Sequence, residues 1–558
     1  MRRLAITLVS AGVLIGAALA GFADSPASGV ESDLQSWQAD MDAGTEAYSS
    51  HRYSQAQKSF EKALSELPDP ETESDPEGDT HWKERSRNYN DLGLVFDSLK
   101  QHTKARKLYK KAITLRQAHG KEGKELSISA LNNLSSSYAE EGDSDMAAKY
   151  LIEANDLIVE CRGADHPSLS VNLNRLAGLY KKESRYTKAA EVLRKSLEVA
   201  KKAFKTGDAA ITVIQNNLAA VLRQLGNQAE AQSLYEESLK IREEALGEDD
   251  LRVAAGLNNL ARSYREQGLY DKAEPLLKRS LEIARKAPDT KPEELVAALK
   301  NLGLLYREQG ESESSLPLYE EAIKIQRSRI GEQDISLVDT DLDLAAAYQE
   351  LERYDEAKKL LSEALEICDK HKTDCASLRL RVLAQIEDVY GQIDDFENAI
   401  AVNAEERKHL EGESEVDKDL LARKYNDLAL LNRRSGDSKS AETNFKKGLQ
   451  LVEEEHGANS IEAALILNNL ARLYASDGDY EKAAAIYKNL IEIRSAAYGA
   501  RSLTVAAAMQ NYAAMMRKLK KEAEAEKYSD EADKIESESE SDSKSDSKSD
   551  SVSRESGK

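Results

Sequence analysis

Small and apolar residues recur along this chain with a fixed period of 42 residues. The phrase LNNLA, with a tyrosine three residues after it, spans residues 257–264 and recurs at 467–474. We call the residue after the second leucine the marker; it falls at Gly93, Ser135, Ala177, Ala219, Ala261, Gly303, Ala345, Glu387, Ala429, Ala471 and Ala513. A unit centred on Gly44 precedes this series, so the chain contains twelve units.

Each unit predicts two helices, A and B, in an antiparallel hairpin. Leu257, Leu260 and Tyr264 have the spacing of one helix face. A second small residue stands twelve positions after each marker, at Ala56, Ala105, Ala147, Ala189, Ala231, Ala273, Ser315, Ala357, Ala399, Ala441, Ala483 and Ala525. Small residues at both places allow close helix packing, and glycines seven and 28 positions after many markers end helices. Because one hairpin cannot bury its apolar stripe alone, the units must stack into a solenoid.

These phrases resemble the tetratricopeptide repeat. The first unit, residues 37–70, carries the pattern most fully, with Gly44, Ala56, Phe60, Ala63 and Pro68. The eleven 42-residue units over residues 87–535 resemble the longer variant of kinesin light chains. The resemblance implies an all-α fold, a right-handed superhelix of about twelve helical hairpins, whose A helices line a concave groove.

The N-terminal residues predict a secretory signal peptide, residues 1–20. Two arginines precede an uncharged apolar run, and Ala18 and Ala20 fit a cleavage site after Ala20, with Ala23 as a second site. The alternative is an uncleaved anchor that tethers the protein to a membrane. Cleavage would place the protein in the bacterial periplasm or outside the cell, with no membrane embedding.

Two segments lie outside the array. Residues 71–86 predict a polar loop, and residues 536–558, an alternation of Ser with acidic residues and Lys, predict a disordered tail.

The charge and composition of the chain exclude several classes of function. The 100 acidic against 78 basic residues, a net charge of −22, argue against binding to nucleic acid or anionic lipid. With 9 Pro and 28 Gly, the chain also has too few turn residues for an all-β sandwich or barrel. No motif for a nucleophile, a phosphate loop or a metal site is present, so we expect no catalysis, no cofactor and no metal.

Two of the three cysteines, Cys368 and Cys375, bracket the end of helix B in unit 8. In an oxidising compartment a disulfide between them is plausible, and free thiols or a metal site with His371 are the alternatives. Cys161 is left without a partner and is interpreted as a packed apolar residue.

The pattern that bears on function is a ladder of asparagines in helix A. Asparagine is unfavourable inside helices, so its recurrence needs a reason. In the tetratricopeptide repeat family, asparagines at these places contact the backbone of a bound peptide, which predicts a partner-binding groove of Asn132, Asn133, Asn216, Asn217, Asn258, Asn259, Asn301, Asn468 and Asn469. The alternative is that some asparagines bridge adjacent helices. The ladder breaks at Lys300, Leu342 and Ala384, which predicts one groove over units 2–7 and another over units 10–12.

The resemblance implies a non-catalytic scaffold that binds protein or peptide partners. The alternatives are a self-assembling structural array of the cell envelope and a recruitment module for a separate enzyme. Unit 9 departs most from the pattern, because Glu387, Asn403 and Glu406 occupy places for apolar or small residues. We therefore predict a loosely packed stretch over residues 380–410.

Overall fold

The computed structural model describes residues 30–67, 81–205, 207–287, 290–371, 375–412 and 416–555. These residues form α-helices without a strand, which confirms the all-α prediction: α1 Val30–Ser49, α2 Tyr53–Glu66, α3 Trp82–Ser98, α4 His102–Gln117, α5 Gly120–Glu140, α6 Ser144–Arg162, α7 Pro167–Lys182, α8 Tyr186–Ala203, α9 Ala209–Gln224, α10 Gln228–Leu246, α11 Leu251–Glu266, α12 Tyr270–Lys286, α13 Pro292–Glu308, α14 Ser312–Ile330, α15 Val338–Glu350, α16 Tyr354–His371, α17 Ala376–Gln392, α18 Phe396–Glu411, α19 Lys418–Arg434, α20 Ser438–His456, α21 Ile461–Asp477, α22 Tyr480–Tyr498, α23 Leu503–Lys518 and α24 Glu522–Glu555. The predicted signal peptide, residues 1–20, lies outside the described part.

Odd-numbered helices are the A helices and even-numbered helices the B helices of units 1 to 12. The predicted small residues are buried at their contacts, including Ala219 and Ala231, both fully buried. In unit 2 a Cβ added to Gly93 would lie 2.6 Å from the ring of Tyr109. The close packing expected from the small residues is therefore confirmed.

Helix ends follow the local sequence. Aspartates precede many helices, and the Asp143 carboxylate accepts a hydrogen bond from the Met146 amide at 3.0 Å at the start of α6. The glycines that follow the A helices, such as Gly226, take positive φ angles, which few other residues adopt easily. These signals confirm the short turn predicted between helices A and B.

Two predicted boundaries differ from the structure. The loop predicted over residues 71–86 ends earlier, because α3 begins at Trp82, whose ring stacks on that of His119 with centroids 4.4 Å apart. The tail predicted as disordered from residue 536 is helical to Glu555 as part of α24. Once packed residues have formed the first turns of a helix, extending it costs little free energy, because each added residue gains a backbone hydrogen bond.

The chain divides into two compact units, which we call the N-terminal array, Met1–Ile283, and the C-terminal array, Ala284–Lys558. In each array the core consists of apolar side chains between consecutive hairpins, and extensive contacts join only helices that are close in sequence. Each array is therefore an α-solenoid. None of the helices in the described ranges is long and apolar enough to cross a membrane.

Candidate functional site

Three of the predicted asparagines bridge to the preceding A helix as hydrogen-bond donors. Each donates from Nδ2 to the Oδ1 of an asparagine in the preceding unit at 2.9 Å: Asn133 to Asn90, Asn217 to Asn174, and Asn469 to Asn426. These bonds place the A helices side by side on one face of each array, which we call the A face. The bridging role left open by the sequence therefore applies to Asn133, Asn217 and Asn469.

Two further predicted asparagines are also occupied by the fold. The Oδ1 of Asn132 accepts a hydrogen bond from Asn172 Nδ2 on the next A helix, α7, at 2.9 Å, so Asn132 is a fourth bridging asparagine. Asn216 Nδ2 lies 2.8 Å from the Thr212 carbonyl oxygen and 3.0 Å from Ser238 Oγ on α10. Asn216 thus ties helix A to helix B within unit 5.

The side chains of Asn258, Asn259, Asn301 and Asn468 make no hydrogen bond to any described residue. Asn258 and Asn259 are partly exposed and adjacent on α11, and Asn258 Oδ1 is a buried acceptor without a partner. Asn301 and Asn468 belong to the C-terminal array. In the N-terminal array, Asn258 and Asn259 are therefore the predicted amides whose hydrogen-bonding groups remain unused.

Apolar residues are exposed on the A helices three residues before the first asparagine position of the ladder, and the sequence analysis did not predict them. Val171 on α7 is 42% exposed and Val213 on α9 is 46% exposed, each six residues before its marker. Ala255 occupies the same place on α11 and is exposed. The sequence feature that could have identified them is an apolar residue that recurs every 42 residues at a position outside the core pattern. We call Val171, Val213, Ala255, Asn258 and Asn259 the amide face.

Unpaired arginines lie on the last three A helices of the C-terminal array. Arg423, Arg433, Arg472 and Arg517 lie on α19, α21 and α23, and none forms an ion pair or hydrogen bond through its side chain with a described residue. Beside them, Leu465 on α21 is 61% exposed. We call these five residues the arginine face.

Arg433 and Arg472 are neighbours of the same charge. They occupy the places of Gln349 and Asp388 two units earlier, whose Nε2 and Oδ2 atoms are 3.0 Å apart. Burial lowers the pKa of Arg433, and the positive charge of Arg472 lowers it further. A negatively charged ligand would relieve this repulsion.

Cys368 and Cys375 are buried thiols without a bond between their sulfur atoms in this structure, and the disulfide in an oxidising compartment stays a prediction. Burial, followed by a hydrogen bond with Cys375, raises the pKa of the Cys368 thiol to about 12. Among the described residues, no group of three or more His, Cys, Asp or Glu side chains is placed to hold a metal ion.

Stacked helical hairpins with two exposed A faces define a solenoid of the protein-interaction class. The sequence model of the tetratricopeptide repeat matches more than half of the chain, at residues 86–119, 126–202, 210–286, 252–328, 342–371, 420–493 and 462–532. The chain belongs to the tetratricopeptide repeat family. Members of this family are generally non-catalytic and bind proteins, so the chain is a protein-interaction protein at this level.

Solved structures of similar repeats include nearly identical TPR-like repeats of kinesin light chain type from Podosopora anserina, with 25% identity over 37% of this chain and 99% of that one (TM-score 0.34). BtubC (BKLC) from P. vanneervenii has 25% identity over 45% of this chain and 94% of its own (TM-score 0.35). The quorum sensor NprR from B. thuringiensis has 16% identity over 74% of this chain and 98% of its own (TM-score 0.42). No curated protein matches the chain.

Proposed function

We propose that this chain is a non-catalytic scaffold that binds peptide segments of partner proteins on two chemically different surfaces, the amide face and the arginine face. The observation that carries the proposal is the pair of unused amides, Asn258 and Asn259 on α11, with exposed Val213 and Val171 on the two preceding A helices. The predicted signal peptide supports a further proposal, that the scaffold acts in the periplasm or outside the cell.

The amide face suits the backbone of an extended peptide. A carboxamide offers two donors and an acceptor, which match peptide carbonyl and amide groups. Asn133 and Asn217 use part of this hydrogen-bonding capacity to bridge to the preceding helix. The side chains of Asn258 and Asn259 make no such bond to a described residue. Val171 and Val213, one unit apart, offer apolar contacts to side chains of the same peptide.

The arginine face suits an acidic segment. Guanidinium groups bind carboxylates with paired hydrogen bonds, and neither Arg433 nor Arg472 is paired with a carboxylate among the described residues. This is notable because the chain carries a net charge of −22 and many other arginines are paired, such as Arg194 with Glu230 at 2.8 Å. Exposed Leu465 adds a contact for an apolar residue of the segment.

A random peptide library displayed on phage and selected on the full chain would supply probes for fluorescence anisotropy. Peptides bound by the amide face should lose about tenfold or more in affinity on Asn258→Ala with Asn259→Ala. Acidic peptides should lose about tenfold or more on Arg433→Ala with Arg472→Ala, and their binding should weaken with salt.

The matched control is Lys439→Ala with Lys488→Ala, which removes the same charge from exposed positions on the B helices α20 and α22. This variant should bind acidic peptides almost as the unmodified chain does. If every selected peptide binds both face variants with unchanged affinity, the proposed surfaces are wrong.

A further inference from the structure

Unit 9 contains a polar cluster where the other units have an apolar contact between helices. Tyr235 and Phe445 fill one place in units 5 and 10, sixteen residues after the marker, and Asn403 fills it in unit 9. The marker itself is Glu387, and Glu406 replaces a residue that is usually Ala or Ser. Asn403 and Glu406 are fully buried and Glu387 is 7% exposed.

The cluster joins three helices through one lysine. Lys424 Nζ on α19 lies 3.2 Å from Glu387 Oε2 on α17 and 2.9 Å from Glu406 Oε2 on α18. Asn403 Nδ2 donates to Glu387 Oε1 and to the Lys424 carbonyl oxygen, each at 3.1 Å. Arg407 Nε donates to Asn403 Oδ1 at 3.0 Å. The side chain of Lys424 is only 12% exposed, so these bonds are largely shielded from water.

Lys424 balances the charge of only one of the two carboxyl groups that it contacts. Two carboxyl groups face a single ammonium group, so ionisation of both leaves an excess negative charge in a buried place. Burial, and after it a hydrogen bond with Glu387, raises the pKa of Glu406, whereas Lys424 lowers it, and together these effects place the pKa at about 8. The proton therefore stays on the carboxyl pair through neutral pH.

Charged groups of both signs surround this pair of carboxyl groups. Asp427 on α19 adds a third carboxyl, whose pKa is raised by burial and then by the charge of Glu387. Further charged or titratable groups on the helices that pack around the cluster include Asp388 on α17, Arg407 and His409 on α18, Arg423 on α19 and Lys447 on α20. Arg407 already stacks on the ring of Tyr425, and Lys447 lies over the same ring.

We propose that the junction of α17, α18 and α19 is a pH-sensitive joint, held closed while Glu387 and Glu406 share a proton beside Lys424 and loosened when this proton is lost. On its other side, α17 stays attached to α15, because Gln385 Nε2 donates to Gln349 Oε1 at 2.7 Å through a neutral bond. Opening therefore occurs between unit 9 and unit 10, next to the arginine face.

The direction of the pH dependence follows from the folded-state pKa of Glu406, about 8, which lies above its usual value of 4.5. The stability that this proton contributes is complete below the unfolded pKa and is lost as the pH rises through the window from about 4.5 to about 8. The joint is therefore closed at mildly acidic pH and opens more often at mildly alkaline pH.

Amide hydrogen exchange of the full chain, corrected for the intrinsic effect of pH, tests the joint. Between about pH 6 and about pH 8.5, the opening equilibrium of residues 380–430 should rise by about tenfold or more, while that of α21 and α22 changes little. Glu406→Gln keeps the shape of the side chain without its titration, so this variant should lose the pH response. Glu387→Gln should lose it as well, because Glu406 and Lys424 then form a neutral pair.

The control is Glu397→Gln, an exposed residue in the first turn of α18, which should keep the full response. The proposal is wrong if the unmodified chain shows no pH response in this stretch. The proposal is also wrong if a cluster variant that folds, Glu406→Gln or Glu387→Gln, shows the same pH response as the unmodified chain.

Discussion

At the scale of single residues, the aromatic side chains sixteen positions after the marker are large groups buried between the helices of a hairpin. Tyr109 and Tyr235 are both almost completely buried. The Tyr109 hydroxyl donates to Asp97 Oδ2 at 2.9 Å, whereas the Tyr235 hydroxyl is buried without a partner. An unpaired buried hydroxyl lowers stability, because it loses its hydrogen bonds with water. The hydroxyl group of Tyr109 therefore stabilises the fold, whereas that of Tyr235 destabilises it.

Replacing each tyrosine by phenylalanine should separate these contributions. Tyr235→Phe should leave the free energy of unfolding unchanged or raise it by about 1 kcal/mol, and Tyr109→Phe should lower it by about 1 kcal/mol. Hydrogen exchange of α9 with α10, and of α3 with α4, gives the local free energy of opening in each variant. An equal loss of stability in the two variants would contradict this explanation.

At the scale of the hairpin, the turn between helices A and B has the same backbone in every unit. Seven residues after the marker the φ angle is positive, both at glycines such as Gly226 (φ 78°) and at other residues such as Ser184 (φ 57°). The packing of the two helices therefore imposes the positive φ angle. The residue at this position only changes the free energy that this conformation costs.

This cost predicts different effects of alanine at equivalent turns. Gly226→Ala should lower the stability of the α9–α10 hairpin by about 1 kcal/mol, because a Cβ at positive φ is unfavourable and no neighbour lies close enough to compensate. Ser184→Ala is the matched control, because this turn already contains a residue with a Cβ. Thermal or urea unfolding that shows equal effects at both turns would refute the argument.

The same scale shows what the sequence could predict. A strict 42-residue period fixes which residues pack within a hairpin, so the helices, the small contact residues and the turns were predictable. The roles of the asparagines were not. Asn133 and Asn259 hold equivalent places, yet only Asn133 bridges to the preceding unit. That difference depends on how consecutive A helices are placed relative to each other, and the spacing of residues does not specify this.

At the scale of the molecule, stability is distributed along the chain. Extensive contacts join each helix only to its neighbours in sequence, so each hairpin is stabilised by itself and by the adjacent units. The buried polar cluster of unit 9 fits this organisation, because a local change of protonation needs to open only one junction. The amide face and the arginine face lie in different arrays and can be altered separately.

Removal of a core side chain should therefore have a local effect. Phe445 is fully buried in α20, in a core cluster with Ala429 and Ala471, and Phe445→Ala should cost about 3–5 kcal/mol. We expect hydrogen exchange protection to fall in α19 to α22 and to stay unchanged in α3 to α6, because no extensive contact transmits the loss that far. Lys446→Ala, at the neighbouring exposed position, should change neither region. A uniform loss of protection along the chain would instead show that the two arrays unfold as one cooperative body.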